Sequence, residues 1–296
     1  MTTDFSEQRP ELWERLPKVL PDCARRWGLT VLRPFPNLSF NYVAPVLRED
    51  GTEAVLKVGL PNAELWAEIE ALRVYDGRYS VRLLEADPEQ GCLLLERIRP
   101  GVVLTTLADE ANDAQATSIT AAVMQGLWRP APPEHNFPHV RDWAEGMPRL
   151  RVHFGGGVGP FPQRLVEEAE TLFAELLASS AEPVVLHGDL HHDNILAAQR
   201  VPWLAIDPKG IVGEPAYEVG AMLRNLWPDR HTILDPGRLL ERRAHQLAEE
   251  LNIERARIRG WAVAQAVLSA WWGIEDDNDY SEDTIVIAEL LATIKP

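Results

Sequence analysis

The segment His187–Asn194 brings together residue types that phosphoryl transfer requires. Asp189 and Asn194 stand five residues apart between two apolar, strand-like runs, and a predicted hairpin then returns the chain to Asp207. Phosphoryl transfer needs a carboxylate that orients the attacking hydroxyl and accepts its proton. It also needs oxygen ligands that fix Mg2+ on the nucleotide phosphates. The pattern predicts Asp189 as the catalytic base, with Asn194 and Asp207 as metal ligands at the common end of the hairpin.

Each of these residues also has an ordinary structural explanation. An Asp after Gly is typical of a turn, and Asn is a frequent cap. The combination of His-Gly-Asp, the five-residue spacing and an Asp on the returning strand favours the catalytic interpretation. The three histidines of the segment suggest a soft-metal site, but the sequence supplies no further ligands for one. We expect His187 to brace the loop by hydrogen bonding instead.

Two regions of different character position these residues. Over residues 29–99, β-type runs such as Val43–Leu47 and Ala54–Val58 surround one helix, which opens at Asn62 as its cap. The rest of the chain is mainly helical, apart from a β island around the loop that carries Asp189. The pattern predicts an α+β fold with a small β-rich lobe and a larger helical lobe. Helices in the larger lobe are predicted for residues 104–128, 165–177, 238–251, 254–272 and 282–294.

Composition narrows the classes of partner. The formal net charge of −16 disfavours nucleic acid, whose phosphates would be repelled, and favours a cationic small-molecule substrate; solubility alone is the other explanation. No apolar run approaches the ~18 residues of a membrane span. Two cysteines, Cys23 and Cys92, do not make a disulfide framework, and the acidic N-terminus is not typical of a signal peptide, so a cytoplasmic location is expected. No protein partner is evident.

The chain resembles a known family over most of its length. The segment His187–Asn194 resembles the catalytic loop of the protein-kinase-like superfamily, in the form shared by antibiotic and small-alcohol kinases. Within it, the chain is similar to the aminoglycoside/hydroxyurea antibiotic resistance kinases, which include streptomycin phosphotransferases. The resemblance implies a bilobal protein-kinase-like fold, with a nucleotide-binding lobe over residues 1–98 and a catalytic and substrate-binding lobe over 99–296, and it implies ATP and Mg2+ as cofactors. The matching stretches are Glu68–Gly77, Val81–Asp87, Leu93–Gly101 and Ile206–Asn225.

Lys57 fits the nucleotide-binding part of this resemblance. It interrupts an apolar strand, as does the kinase lysine that holds the α- and β-phosphates. Taken alone, it would be explained better as a solvated strand lysine, but the downstream His187–Asn194 motif favours the nucleotide-binding role. Glu68 on the following helix is the expected ion-pair partner of Lys57, with Glu70 as the rival.

Two further nucleotide contacts follow from the resemblance. The strand predicted over Gly91–Ile98, ended by Pro100-Gly101, resembles the hinge between kinase lobes, where Glu96 and Ile98 would bond the adenine through backbone groups. The stretch that would cover the phosphates is not glycine-rich here. Its Ser39 and Asn41 are expected to supply polar contacts in place of a glycine loop.

A substrate surface is predicted near the C-terminus. Trp271 and Trp272 precede an acidic run that includes Glu275 and Asp276, and such a surface suits the amino or guanidino groups of a cationic sugar, with an indole against a ring. A solvated acidic loop that caps the next helix is the alternative. Asp142, beside Trp143, is a second candidate for substrate binding.

The expected function is ATP-dependent phosphorylation of a small-molecule hydroxyl, on an aminoglycoside such as streptomycin. Hydroxyurea or another small metabolite is the alternative acceptor. A protein kinase is disfavoured because Asp207 is followed by Pro-Lys rather than by a recognisable activation segment. A non-catalytic nucleotide-binding module is disfavoured because Lys57, Asp189, Asn194 and Asp207 are all present.

Overall fold

An antiparallel five-stranded sheet forms the first part of the chain, in a computed structural model that describes residues 10–36, 40–107, 109, 111–226, 233–277 and 282–295. The strands lie side by side in the order β1-β2-β3-β5-β4. The predicted hairpin between β2 and β3 is confirmed, with Leu47 opposite Glu53 and a turn at Gly51 in the left-handed conformation. The strands are β1 (Leu29–Val31), β2 (Tyr42–Arg48), β3 (Glu53–Val58), β4 (Leu83–Asp87) and β5 (Cys92–Glu96).

Helix α1 (Pro10–Trp27) covers one face of this sheet. Its buried residues recur at intervals of three and four and pack against the inward side chains of β2 and β3. The sequence pattern does not predict this helix, because it contains Pro17 and Pro21, and an interior proline removes a backbone hydrogen bond. Burial of the apolar stripe outweighs that loss. The buried residues are Leu12, Leu16, Val19 and Cys23.

Helix α2 (Ala63–Tyr75) covers the other face and also contacts the second lobe. The predicted cap is confirmed, since Asn62 Oδ1 accepts a hydrogen bond from the Leu65 backbone amide at 2.9 Å. Leu65, Ile69 and Leu72 pack beneath the sheet. The opposite side of the helix belongs to the core of the second lobe through Ala67, Ala71 and Tyr75. The helix is therefore wedged between both lobes.

The second lobe is mainly helical, so the predicted α+β architecture is confirmed. A 23-residue helix, α9, runs through its core, with Trp261 and Trp271 among the largest fully buried side chains. None of the described helices has the length and apolar character needed to cross a membrane. The helices are α3 (Asp113–Leu127), α4 (Val140–Ala144), α5 (Gly146–His153), α6 (Gln163–Ala178), α7 (Val219–Arg224), α8 (Pro236–Leu251), α9 (Arg255–Asp277) and α10 (Glu282–Thr293).

Two small three-stranded sheets within the second lobe carry the loops of interest. Their strand orders are β10-β9-β6 and β11-β8-β7. The strand predicted before Pro100-Gly101 ends at Glu96, and Pro100 then pairs with Ala198 and begins β6 in a different sheet. A proline is tolerated there because β6 is an edge strand. The strands are β6 (Pro100–Val103), β7 (Arg129–Pro130), β8 (Val184–Leu186), β9 (Ile195–Ala198), β10 (Trp203–Ala205) and β11 (Ile211–Gly213).

Candidate active site

The loop that carries Asp189 leaves β8 through a turn that only glycine fits. Gly188 has φ +83°, in the left-handed region that other residues rarely adopt. A Cβ at this position would lie 3.0 Å from Ile211 Cγ2 and 3.1 Å from Trp143 Cη2. The loop therefore turns against a tightly packed wall, which fixes the direction in which Asp189 projects.

His187 braces this loop from inside, as expected. Its ring is fully buried, and burial lowers its pKa to about 4, so the imidazole is neutral. Nε2 lies 2.8 Å from the Ile206 carbonyl and therefore donates, which leaves Nδ1 to accept from the Asp189 amide at 3.3 Å. The ring thus connects the start of the loop to the residue that precedes Asp207.

Glu218, to which the sequence pattern assigns no role, holds the same loop by its backbone. Its buried carboxylate accepts the amide of His187 at 2.7 Å and the amide of Gly188 at 2.8 Å. Burial raises the pKa of Glu218 to about 7, although the two amides oppose this shift. The residue lies inside the family-like stretch that ends at Asn225, but nothing in its local sequence marks it as a loop support.

Glu218→Ala is expected to lower the free energy of unfolding by about 2–4 kcal/mol. Each buried amide left without an acceptor costs about 1–3 kcal/mol, and removal of a buried carboxylate returns part of that loss. Urea titration measures the change. Glu249→Ala is the control, because that acid is exposed and its ion pair with Arg255 lies at the surface, so a change below about 0.5 kcal/mol is expected.

The same residue gives a pH dependence whose sign can be worked out. The pKa of Glu218 is near 7 in the folded protein and 4.5 ordinarily, so the unfolded chain releases the proton first as pH rises. The stability of the wild type relative to Glu218→Gln should therefore be greatest below about pH 4.5 and fall until about pH 7. A difference that stays flat across this window would contradict the buried, ionisable assignment.

Lys57 lies between two carboxylates at the junction of the lobes. Its Nζ is 2.7 Å from Glu68 Oε1 and 3.2 Å from Asp207 Oδ1. Burial alone would lower the pKa of Lys57, but Asp207 and Glu68 raise it, so the ammonium is charged. Glu70, the rival partner, instead accepts from the Asn136 backbone amide at 3.4 Å. The expected Lys57–Glu68 pair and the approach of Lys57 to Asp207 are both present.

Asn194 and Asp207 lie at the same end of the β9–β10 hairpin. Ile195 is opposite Ala205, and the Ile206 amide donates to the Asn194 carbonyl at 2.9 Å. The Asn194 side-chain amide donates to the Asp189 carbonyl at 2.9 Å, which leaves its Oδ1 as an acceptor. Asp207 is half exposed to the cleft. One amide oxygen and one carboxylate form a hard donor set, which fits Mg2+ that takes its other ligands from phosphates and water.

The Asp189 carboxylate has a cation on each side. Arg224 Nη2 donates to Oδ1 at 2.7 Å, and His191 Nε2 lies 3.7 Å from Oδ2. Burial would raise the pKa of Asp189, but His191 and Arg224 hold it well below its ordinary value. Burial would likewise lower the pKa of His191, yet Asp189 and Asp193 raise it to about 9. Asp189 is therefore ionised at neutral pH and able to accept a proton.

The remaining nucleotide candidates lie around the hinge and the phosphate-covering stretch. The Glu96 carboxylate is bound by Arg200 at 2.9 Å, while Ile98 is nearly buried and none of the described residues accepts from its backbone amide. That amide is available to a ligand. Asn41 Oδ1 fills the space in which a side chain at Gly59 would begin. Ser39 lies outside the described residues.

The substrate candidates differ in how far their side chains are exposed and in what they contact. Trp271 is only 1% exposed and packs against His153 and Phe154, so the expectation that it offers a surface to a substrate is wrong. Glu275 is paired with Arg149 at 2.5 Å. Asp142 caps α4, with Oδ2 accepting the His139 amide at 2.7 Å. Asp276 is exposed at the end of α9.

Trp272 and Trp143 form one aromatic wall beside the Asp189 loop. Their rings meet edge to face with centroids 5.2 Å apart, and both are partly exposed. A Cβ at Gly188 would lie 3.1 Å from Trp143 Cη2, so this ring packs against the turn that leads to Asp189. Two candidate regions far apart in sequence therefore form a single surface next to the Asp189 loop.

Comparison with known proteins identifies a family and several relatives of this chain. A model of the aminoglycoside/hydroxyurea antibiotic resistance kinase family matches residues 29–277. A streptomycin 6-kinase from Streptomyces glaucescens is 35% identical over 279 residues, which are 93% of this chain and 88% of the relative. A hydroxyurea phosphotransferase from Kitasatospora aureofaciens is 34% identical over 289 residues, covering 95% and 80% of the two chains.

The fold is shared with solved kinases of low sequence identity. An aminoglycoside phosphotransferase, APH(4)-Ia, in ternary complex with ADP and hygromycin B, superposes with a TM-score of 0.62 at 17% identity, covering 92% of this chain and 96% of that one. This likeness establishes the kinase-like fold. Together with the match over residues 29–277, it leads to one conclusion: the chain belongs to the aminoglycoside/hydroxyurea antibiotic resistance kinase family.

Proposed function

We propose that this protein transfers the γ-phosphoryl group of ATP, with Mg2+, to a hydroxyl of a small molecule, and that the acceptor is an aminoglycoside such as streptomycin. One observation carries the proposal. The Lys57–Glu68 pair, Asp207, Asn194 and Asp189 lie around one cleft between the lobes. These are the groups that phosphoryl transfer needs for nucleotide positioning, metal binding and proton acceptance.

In the proposed reaction Asp189 accepts the proton of the acceptor hydroxyl. The hydroxyl oxygen forms a bond to the γ-phosphorus while the bond from that phosphorus to the β,γ-bridging oxygen breaks, and ADP leaves with the bridging oxygen. Lys57, held by Glu68, would orient the α- and β-phosphates. Asn194 Oδ1 and Asp207 would hold Mg2+, which when bound neutralises phosphate charge.

The aromatic wall and the charge of the chain support a cationic acceptor. Trp143 and Trp272 offer ring surfaces beside Asp189, on which a sugar or cyclitol ring can pack. The net charge of −16 attracts guanidino and amino groups. The streptomycin 6-kinase among the relatives supports a cationic acceptor. The hydroxyurea phosphotransferase among them supports a neutral acceptor as the second candidate.

A protein substrate is disfavoured by the path of the chain after Asp207. Only Pro208, Lys209 and Gly210 separate Asp207 from β11, and Glu218 is already bound beneath the Asp189 loop. This leaves little chain from which to build an activation segment or a docking platform for a peptide.

Streptomycin is expected to stimulate ATP consumption by the purified protein, with a KM that rises as salt is added. Exposed charge attraction weakens when the Debye length falls from about 10 Å at 0.1 M salt to about 3 Å at 1 M. Coupled measurement of ADP release against streptomycin, other aminoglycosides and hydroxyurea tests this. Turnover with hydroxyurea alone, without salt dependence, would decide for the neutral acceptor.

The aromatic wall is checked in the same assay. Trp272→Ala should raise the KM for streptomycin several-fold with a smaller change in kcat, because it removes ring contact made equally in the ground and transition states. Trp66→Ala is the matched control, since this tryptophan is 51% exposed on α2 of the first lobe. Equal effects of the two variants on the KM would show that the aromatic wall does not bind the substrate.

A further inference from the structure

Arg224 is the last residue of α7 and reaches the Asp189 carboxylate from the side opposite His191. Its Nη2 donates to Asp189 Oδ1 at 2.7 Å, and its Nη1 lies 3.2 Å from Ser269 Oγ on α9. The arginine side chain is 14% exposed and the Asp189 side chain 25% exposed. This contact joins residues 35 positions apart, so it is a tertiary feature rather than part of the loop.

Other charged groups surround Asp189, but Arg224 is different in kind. Lys209 acts on the carboxylate only through its charge, and the His191 ring nitrogen stands at 3.7 Å, beyond hydrogen-bond distance. Within the described part of the chain, Arg224 alone places a side-chain donor at hydrogen-bond distance from an oxygen of the Asp189 carboxylate. A charge-assisted bond of this length restricts the orientation of the carboxylate as well as neutralising it.

We propose that Arg224 is a positioning residue, which fixes Oδ1 of Asp189 so that Oδ2 is presented to the acceptor hydroxyl. The proposal rests on the proposed function, since it deepens the role given to Asp189. The terminal torsion of an Asp side chain is broad and roughly two-fold, so a partly exposed carboxylate without a partner rotates freely. Arg224 limits that rotation.

The position of Arg224 is itself set by hydrogen bonds within the second lobe. Ser269 lies on α9, and α7 begins directly after Glu218, whose carboxylate holds the amides of His187 and Gly188. The segment 218–224 therefore contacts the loop twice. Glu218 at its start binds the loop backbone, and Arg224 at its end binds the Asp189 carboxylate. Reacting groups must be held within a few tenths of an ångström for efficient transfer, which is what this double attachment provides.

Arg224→Ala is expected to lower kcat by about 10–100-fold with little change in the KM for ATP, the size expected for a lost charge-assisted bond. Millimolar guanidinium chloride should restore kcat several-fold by occupying the vacated space. Arg224→Lys should retain an intermediate kcat, because it keeps a donor without the planar fork, and it also serves if the alanine variant does not fold. Steady-state kinetics with streptomycin or the best acceptor measures all three.

Arg259→Ala is the matched control. Arg259 on α9 binds Glu168 at 2.6 Å. The two side chains are 15% and 23% exposed, almost as much as those of the Arg224–Asp189 pair. Arg259 is ten positions before Ser269 on that helix and does not bind Asp189. Its variant should lose stability and gain nothing from guanidinium. An Arg224→Ala variant with unchanged kcat, or with a lower KM for a cationic acceptor at unchanged kcat, overturns the proposal, because the arginine would then only occupy the place of a substrate cation.

Crystal structures provide a readout that needs no acceptor. In Arg224→Ala the Asp189 carboxylate should turn away from its wild-type orientation, and soaked guanidinium should return it. A carboxylate that stays in place without the arginine overturns the proposal. Absence of turnover by the wild type with every acceptor would instead refute the proposed function, so the two failures are distinguishable.

Discussion

Replacing Asp189 with Ala is expected to lower kcat by at least about 100-fold while the KM for ATP stays nearly constant. A positioned proton acceptor acts mainly in the transition state, and loss of general base catalysis typically costs about 10²–10⁴-fold. The structure sharpens this expectation, because removal of the Asp189 carboxylate also leaves the Arg224 guanidinium without the anion that it binds. That cation would oppose a cationic acceptor.

Asp189→Asn separates these contributions. It keeps the size of the side chain and an oxygen for Arg224, but it cannot accept the proton, so kcat should fall nearly as far as in Asp189→Ala. Asp193→Asn is the control, since it removes an acid from the same loop that lies 3.6 Å from His191, and only a change of a few-fold is expected. Full activity of Asp189→Ala at saturating ATP would refute its role as the base.

Asp207→Ala is expected to abolish Mg2+-dependent binding of ATP. Mg2+ bound through few protein oxygens loses most of its affinity when the charged ligand is removed, and Asn194 would be left alone. Asp207 also forms an ion pair with Lys57, so in the variant Lys57 would retain only its ion pair with Glu68. Desolvation in the cleft would raise the pKa of Asp207, but the Lys57 ammonium holds that pKa below its ordinary value. The carboxylate is therefore ionised at neutral pH, as a metal ligand must be.

Isothermal titration with ATP, with and without Mg2+, measures this loss directly. The wild type should bind much more tightly with the metal, and Asp207→Ala should bind weakly and equally in both conditions. Asp50→Ala is the control, because Asp50 caps the remote β2–β3 turn through Thr52 and should leave both titrations unchanged. A variant that kept the full metal-dependent gain in affinity would remove Asp207 from the metal site.

The catalytic loop could be predicted because its chemistry is local. Asp189 and Asn194 are close in sequence, and a hairpin of standard length brings Asp207 back to the same end. The choice of Glu68 over Glu70 as the partner of Lys57 depends on which side of the helix faces the sheet. Residues two apart point about 200° away from each other around a helix, so only one of them can face the sheet with Leu65 and Leu72.

Other features could not be predicted because they depend on how distant elements pack. Trp271 and Trp272 are adjacent in sequence, but neighbouring residues on a helix point about 100° apart, and only the placement of α9 decides which indole is buried. The Arg224–Asp189 contact joins two separate elements, and no local spacing indicates it. Burial of Glu218 likewise becomes visible only when α7 is placed beneath the loop.

The wedged position of α2 has a consequence for how firmly Glu68 is held against Lys57. One side of this helix packs with the sheet and the other with the second lobe, where Gly210 approaches so closely that a Cβ would lie 2.5 Å from the Ala67 carbonyl. Glu68 is therefore held against Lys57 by packing on both sides of its helix. A helix packed on both sides resists outward movement, so separating Glu68 from Lys57 would have to break apolar contacts in both lobes.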